Sequence, residues 1–265
     1  MINKIFSLKN KISLVTGSSS PLGNVICNTL AEAGSDIILL DKDVKKKEFQ
    51  ILFNSIKKRY REQNFTSLSC DLSNSKERLK LSKKLKRIKK IDIFVNNAAF
   101  TDNKAKGYNA KFKDQNLLQW KHSFEVNLTA IFDLTKILLP KIKKSKSASI
   151  INIASIYGVF GPDWSIYKGT NMNNPAAYAS AKAGLIQFTK WLSKTLGPNI
   201  RANAISPGGI FRNQPKKFVK AYTKKTALNR MAKESDFVGI IALLSSDASS
   251  YITGQNIIVD GGWGT

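Results

Sequence analysis

The sequence is poor in cysteine, histidine and acid. Two cysteines, Cys27 and Cys70, are too few for a disulfide framework, and neither stands in a metal-ligand spacing. A reducing compartment is expected, and no metal. The single histidine, His122 in WKHSFEVNL, has no second ligand or serine-type nucleophile patterned beside it, so a surface or packing role is expected. No uninterrupted apolar run approaches the roughly 18 residues of a membrane-spanning helix. The N-terminal MINKIFSLKNK carries charge but no apolar stretch leading to a small-residue cleavage site, so the expected location is the cytoplasm. Internal repeats and low-complexity linkers are also missing.

Acid is outnumbered: 18 Asp and Glu face 43 Lys and Arg, giving a formal charge of +25 over 265 residues. Such a balance raises nucleic acid or an anionic membrane as a partner. The lysines, however, crowd separate segments (KDVKKK, IKKRYR, KKLKRIKK, KIKKSK), interleaved with Leu and Ile at helix-like intervals. That is the pattern of solvated helix faces, and no nucleic-acid motif accompanies it. The expectation is therefore no specific nucleic acid and no membrane partner, with a field that can draw an anionic small-molecule substrate.

What is present is alternation. Short Ile/Val-rich runs (KISLVTG, DIILLD, IDIFVNNAA, SIINIAS, IRANAISPG, NIIVDGG) are separated by helix-sized amphipathic stretches. Repeated βαβ units of this kind predict an α/β fold, a doubly wound Rossmann-type sheet, mostly parallel and flanked by helices, as a single domain over 1–265. Gly, Asn and Pro concentrate after two predicted strands, so the loops 156–177 and 207–226 are expected to frame the substrate at the carboxyl edge of the sheet.

Three local patterns carry chemistry. The first strand leads through Gly17-Ser-Ser-Ser-Pro-Leu-Gly23 into a helix, the setting of a phosphate turn, where backbone N–H groups and the helix dipole favour a pyrophosphate. Gly17, Ser19, Ser20, Leu22 and Gly23 are its candidate contacts, although Gly/Ser turns also occur without a ligand. Pro21 stands where such turns expect glycine. It suits the first helical position, where a missing N–H costs nothing, leaving Leu22 and Gly23 to present backbone. Asp41, closing the second strand, can accept from both hydroxyls of an adenosine ribose and would repel a 2′-phosphate, or it can simply cap a turn; the first reading favours NAD. Asp71 and Leu72 in CDL, and the NNAA segment, end later strands and can approach an adenine ring. Finally, Tyr178 and Lys182 are (i, i+4) neighbours on one helix face, where an ammonium would lower a phenol's pKa of about 10 into a usable range.

In this order, TGSSSPLG, Asp41, CDL, NNAA, VNL, INIASIYG, YASAK, NAISPGGI and ITGQNIIVDGGW, the motifs resemble the short-chain dehydrogenase/reductase family over almost the whole chain. The resemblance implies a catalytic set of Asn127, Ser155, Tyr178 and Lys182. Tyr178 is the acid/base, and Lys182 binds the nicotinamide ribose and lowers the tyrosine pKa. Ser155 hydrogen-bonds the reacting oxygen, and Asn127 holds a water that relays protons to Lys182. It also implies that Asn97, Ala98 and Ala99 lie beside the adenosine half of the cofactor and that Pro207, Gly208 and Ile210 lie near the nicotinamide. A homo-oligomer, dimer or tetramer, follows from the same resemblance, with Leu185, Phe188, Trp191 and Leu192 offering apolar surface.

The chain departs from the family between Ser155 and Tyr178, which stand farther apart than usual because of the insertion GVFGPDWSIYKGTNMNNP. This segment, with IYKGTNM and the later SPGGIFRNQP, resembles family members of bacterial surface-glycan and flagellin-glycan pathways. That implies a sugar or nucleotide-linked sugar as substrate, with Trp164, Tyr167 and Asn171 as stacking and hydrogen-bonding candidates. Two other readings remain: a catalytically silent dinucleotide sensor or scaffold of the same fold, and a nucleic-acid binder driven by charge.

Overall fold

The computed structural model describes residues 1–101 and 105–265. Seven strands, β1 (Ile12–Thr16), β2 (Asp36–Asp41), β3 (Phe65–Ser69), β4 (Ile93–Asn96), β5 (Ala148–Ile153), β6 (Ile200–Pro207) and β7 (Asn256–Val259), form one sheet in the order β3-β2-β1-β4-β5-β6-β7. Every pairing is parallel. A short turn, α1 (Ile2–Ile5), precedes the sheet. Then α2 (Pro21–Glu32) follows β1, α3 (Lys47–Arg59) follows β2 and α4 (Ser75–Lys84) follows β3. After β4 come α5 (Leu117–Phe124) and α6 (Ala130–Ile142), after β5 comes α7 (Ala176–Leu196), and α8 (Lys216–Thr223) and α9 (Val238–Ser245) lie between β6 and β7.

Strands covered on both faces should read as continuous apolar runs, and β5 and β6 are buried along their whole length. Alternate residues feed two cores. Val15, Leu39, Val95 and Ile151 pack with Ile26 and Leu30 of α2 and with Phe49, Leu52 and Ile241 on one side. Leu14, Leu40, Phe94 and Ile150 pack with Leu81, Leu134, Leu138 and Leu192 on the other. Basic residues sit in the last turns of α3 (Lys57, Lys58, Arg59) and α4 (Lys83, Lys84), exposed and favourable to the helix dipoles.

The direction of winding reverses between β1 and β4, which opens a crevice beyond the strand ends. A π-turn over Glu125–Thr129 joins α5 to α6 at its edge and places Asn127 there, fully buried. A third, smaller cluster forms over the crevice, where Ile166 and Tyr167 of the insertion pack on Phe218 and Tyr222 of α8 and on Met231.

One expectation about α7 is corrected. Leu185 and Leu192 are buried in this chain's own core, because they lie on the face turned to the sheet. The exposed apolar surface is aromatic instead: Trp191, 56% exposed, stacks on Phe188, which also meets Phe132 of α6. Among the described residues no helix is long and apolar enough to cross a membrane.

Candidate active site

Every residue expected to touch the cofactor except Gly23 borders one cleft of about 630 Å³, and Ser155 borders it too. The cleft is built at its floor by the β1–α2 turn. Gly17 takes a φ of +61°, and a Cβ there would stand 2.8 Å from the Ala98 Cα, so both backbone shape and close approach call for glycine. Ser20 caps α2: its Oγ accepts the Gly23 N–H at 3.1 Å and donates to the Gly17 carbonyl at 2.8 Å. Pro21 occupies the first helical position. Gly23 does not border the cleft and packs tightly against the turn. Its N–H is taken by Ser20, and a Cβ would lie 2.2 Å from the Gly17 carbonyl.

Asn97 borders the cleft and also braces the turn. Its Nδ2 donates to the carbonyls of Thr16 (3.0 Å) and Gly17 (2.9 Å), so the end of β4 clamps the turn. The Thr16 hydroxyl accepts the N–H groups of Asn97 and Ala98, each at 3.0 Å.

At the other end of the cleft, Asp41 accepts from the Ser19 N–H and hydroxyl, both 2.8 Å, and from the Lys42 N–H at 2.8 Å. Lys42 itself reaches across to Asp71 at 2.8 Å. Burial raises the Asp71 carboxyl, but hydrogen bonds from Lys42 and Ser73 outweigh it and leave it below the ordinary range. Arg78, which the motif reading missed, anchors this end. Buried at 2% exposure, it donates to the Leu72 carbonyl and pairs with Asp133 and Glu125, each at 2.7 Å. The CDL loop is thereby tied to the helix that carries Asn127.

The reacting centre lies where β5 meets α7. Ser155 caps the turn after β5, accepting the Tyr157 N–H at 3.2 Å, and hydrogen-bonds the half-buried Tyr178 phenol. Lys182, 1% exposed, stands over the Tyr178 ring at 5.7 Å and donates to the Ile153 carbonyl at 2.7 Å. Its electrostatics differ from the sequence reading. With no acidic partner among the described residues, burial pushes the Lys182 ammonium down to about 7. Burial also holds the Tyr178 phenol above its ordinary value, opposed by the Ser155 hydrogen bond and by the charge of Arg212. Arg212, also missed, borders the cleft and is steadied by Glu234 at 3.1 Å.

Asn127 does not border the cleft. Its Oδ1 accepts the Phe100 N–H at 2.9 Å, and its Nδ2 donates to the Ser123 hydroxyl at 3.1 Å and the Phe100 carbonyl at 3.3 Å. His122 packs edge-on against Phe100, with ring centroids 4.5 Å apart, and reaches the cleft wall.

A second pocket of about 280 Å³ shares Ser155 and Tyr178 with the cleft and is walled by the insertion and by α8. Of the three residues expected to meet a sugar there, only Tyr167 lines it. Trp164 is half exposed and leans on Tyr167 from outside, and Asn171 is exposed. Tyr157, Asn173, Asn174 and Tyr222 take the places that the sequence left unassigned.

The cleft fits a dinucleotide. A glycine-lined turn at a capped helix start suits a pyrophosphate, a strand-end carboxylate suits a ribose, and a phenol, a hydroxyl and a buried amine converge at the far end. The family described as enoyl-(acyl carrier protein) reductase matches residues 17–264. The chain is 32% identical to the post-translational flagellin modification protein A of Campylobacter coli, over 97% of this chain and 99% of that one. It is 30% identical to the 3-oxoacyl-(acyl-carrier-protein) reductase FabG of Thermotoga maritima, over 96% of this chain and 98% of that one. A crystal structure of a short-chain dehydrogenase from Leptospira borgpetersenii with bound NAD+ superposes with a TM-score of 0.82 at 33% identity, covering 100% of this chain and 96% of the other.

Proposed function

Because this chain belongs to the short-chain dehydrogenase/reductase family, we propose that Tyr178 is the general acid/base in its exchange of a secondary alcohol and a ketone. The protein is an NAD(P)-dependent oxidoreductase acting on CH–OH groups. The observation that carries the proposal is the meeting of Ser155, Tyr178 and Lys182 at one end of the cleft whose other end holds the phosphate turn and Asp41.

The bound nicotinamide supplies or accepts the hydride. The chain's own residues handle the proton and the geometry. In oxidation the Tyr178 oxygen, as phenolate, takes the hydroxyl proton, while the Ser155 hydroxyl donates to the same substrate oxygen and holds it in line. In reduction Tyr178 returns a proton to the carbonyl oxygen as an acid. Lys182, fixed by the Ile153 carbonyl, would hold the nicotinamide ribose and, when charged, favour the phenolate. Asn127 is assigned the water relay to Lys182, and its grip on both backbone groups of Phe100 steadies the cleft wall beside it.

NAD is the proposed cofactor. Asp41 borders the cleft with a carboxylate that would accept from the ribose hydroxyls and repel a 2′-phosphate, and the neighbouring Lys42 is drawn away to Asp71. The substrate is proposed to be a sugar or nucleotide-linked sugar, in keeping with the flagellin-modification relative and with the insertion that walls the second pocket. A dimer or tetramer would cover the strip of Phe132, Phe188 and Trp191. Two free buried thiols suit a reducing, cytoplasmic setting. A silent sensor has no chemical need for Ser155, Tyr178 and Lys182 together. NADH titration with turnover of candidate sugar alcohols tests the reading, and a protein that binds NADH but oxidises none of them would count against it.

A further inference from the structure

We propose that the second pocket recognises an uncharged substituent of the substrate through an acceptor oxygen, with Asn174 and the Tyr157–Tyr167 hydroxyl pair as its specificity-determining groups. This rests on the oxidoreductase reading and extends it beyond the reacting carbon.

The pocket begins at Ser155 and Tyr178, so whatever occupies it is attached to, or adjacent to, the reacting carbon. Among the described residues that line it, none is charged. An ionised group drawn inside would lose its hydration against walls that carry no charge of their own, with Arg212 standing in the adjoining cleft. Phosphate or carboxylate on the substrate therefore stays outside, toward the basic surface, and a neutral portion enters.

The walls are not simply greasy. Met172, Phe218 and Met231 supply apolar surface, but the Tyr157 and Tyr167 hydroxyls meet at 2.6 Å within it. One hydroxyl donates to the other, which leaves a second O–H proton to be used elsewhere. Beside them the Asn174 side chain is 5% exposed and hydrogen-bonds both tyrosine hydroxyls, which holds the pair in place. Tyr222 is different: its hydroxyl accepts the Gly209 N–H at 2.6 Å and serves to hold the wall. A buried hydroxyl proton without an acceptor is costly and rare. Here that proton belongs to a hydroxyl pair lining the pocket that also holds the reacting groups. A ligand oxygen, hydroxyl or amide carbonyl, would satisfy it, whereas an alkyl group of the same size would leave it unsatisfied. Sites of this construction reject the analogue that lacks the oxygen far more strongly than an apolar pocket rejects a surplus methylene.

The test titrates NADH-loaded protein with a neutral cyclic polyol (inositol), with cyclohexanol and with glucuronate, in the wild type, in Asn174→Leu and in Tyr167→Phe. The polyol is expected to bind at least about tenfold more tightly than either of the others, and both substitutions are expected to erase most of that margin. Tyr167→Phe keeps the ring packed on Phe218, so its result stands if Asn174→Leu fails to fold. Equal or tighter binding of cyclohexanol or glucuronate, absence of polyol binding, or a margin untouched by the folded substitutions would overturn the proposal. Failure of the wild type to bind NADH would instead overturn the oxidoreductase reading beneath it.

Discussion

The Lys182 ammonium donates to the main-chain carbonyl of Ile153, the last residue of β5, at 2.7 Å. This one bond fixes the amine over the Tyr178 ring in a place where no acid among the described residues neutralises it. The site keeps a buried base at the expense of stability, as sites shaped for proton transfer often do.

That cost has a pH signature. Burial lowers the folded-state value of Lys182 to about 7 from 10.5, so between those values the unfolded chain binds the extra proton. Stability should therefore rise with pH across this window. Lys182→Met should be the more stable protein near pH 7, by roughly 2–4 kcal/mol once the lost bond to Ile153 is counted, with the gap closing toward pH 10. Urea unfolding of both proteins at several pH values checks this.

Asp41 should set the cofactor. Asp41→Ala removes the carboxylate proposed to meet the ribose and leaves Lys42 beside the vacated space. The ratio of kcat/KM for NADH over NADPH should fall by about ten- to a hundred-fold, equivalent to roughly 1.4–2.8 kcal/mol. An unchanged ratio would mean that Asp41 serves only the Ser19 turn.

Gly23 separates packing from contact. Gly23→Ala would drive a Cβ to 2.2 Å from the Gly17 carbonyl, so the β1–α2 turn must open. NADH affinity should drop more than about tenfold while the circular dichroism spectrum stays native. Ser20→Ala, which removes the cap but keeps the space, should cost about 1 kcal/mol of stability.

Much of this was legible in the chain itself. DIILLD and SIINIAS read as buried parallel strands because their apolar runs are longer than one covered face requires, and the Gly/Ser turn follows directly from the first of the strands. Pro21 could be placed at the start of α2 by its missing N–H alone. Motif spacing could not reveal what depends on how distant segments meet. Asn97 reads as a ligand contact in NNAA and does border the cleft, but the clamp its Nδ2 puts on the turn could not be read from the motif. Tyr178 and Lys182 read as a phenol lowered by an ammonium, yet desolvation, a property of the folded surroundings, moves both the other way. Arg78 sits in a run of lysines and looks like surface charge until the helix carrying Glu125 and Asp133 packs over it. The insertion signalled a substrate loop, but which of its side chains turn inward was decided by α8: Tyr167 settles on Phe218, leaving Trp164 outside and bringing Asn174 in.

The most direct test of the central claim is Tyr178→Phe, measured for both turnover and NADH affinity on an alcohol that the wild type oxidises. The account predicts a loss in kcat of about a hundred- to ten-thousand-fold with the NADH dissociation constant changed less than about threefold. Wild-type-like turnover in Tyr178→Phe would contradict it.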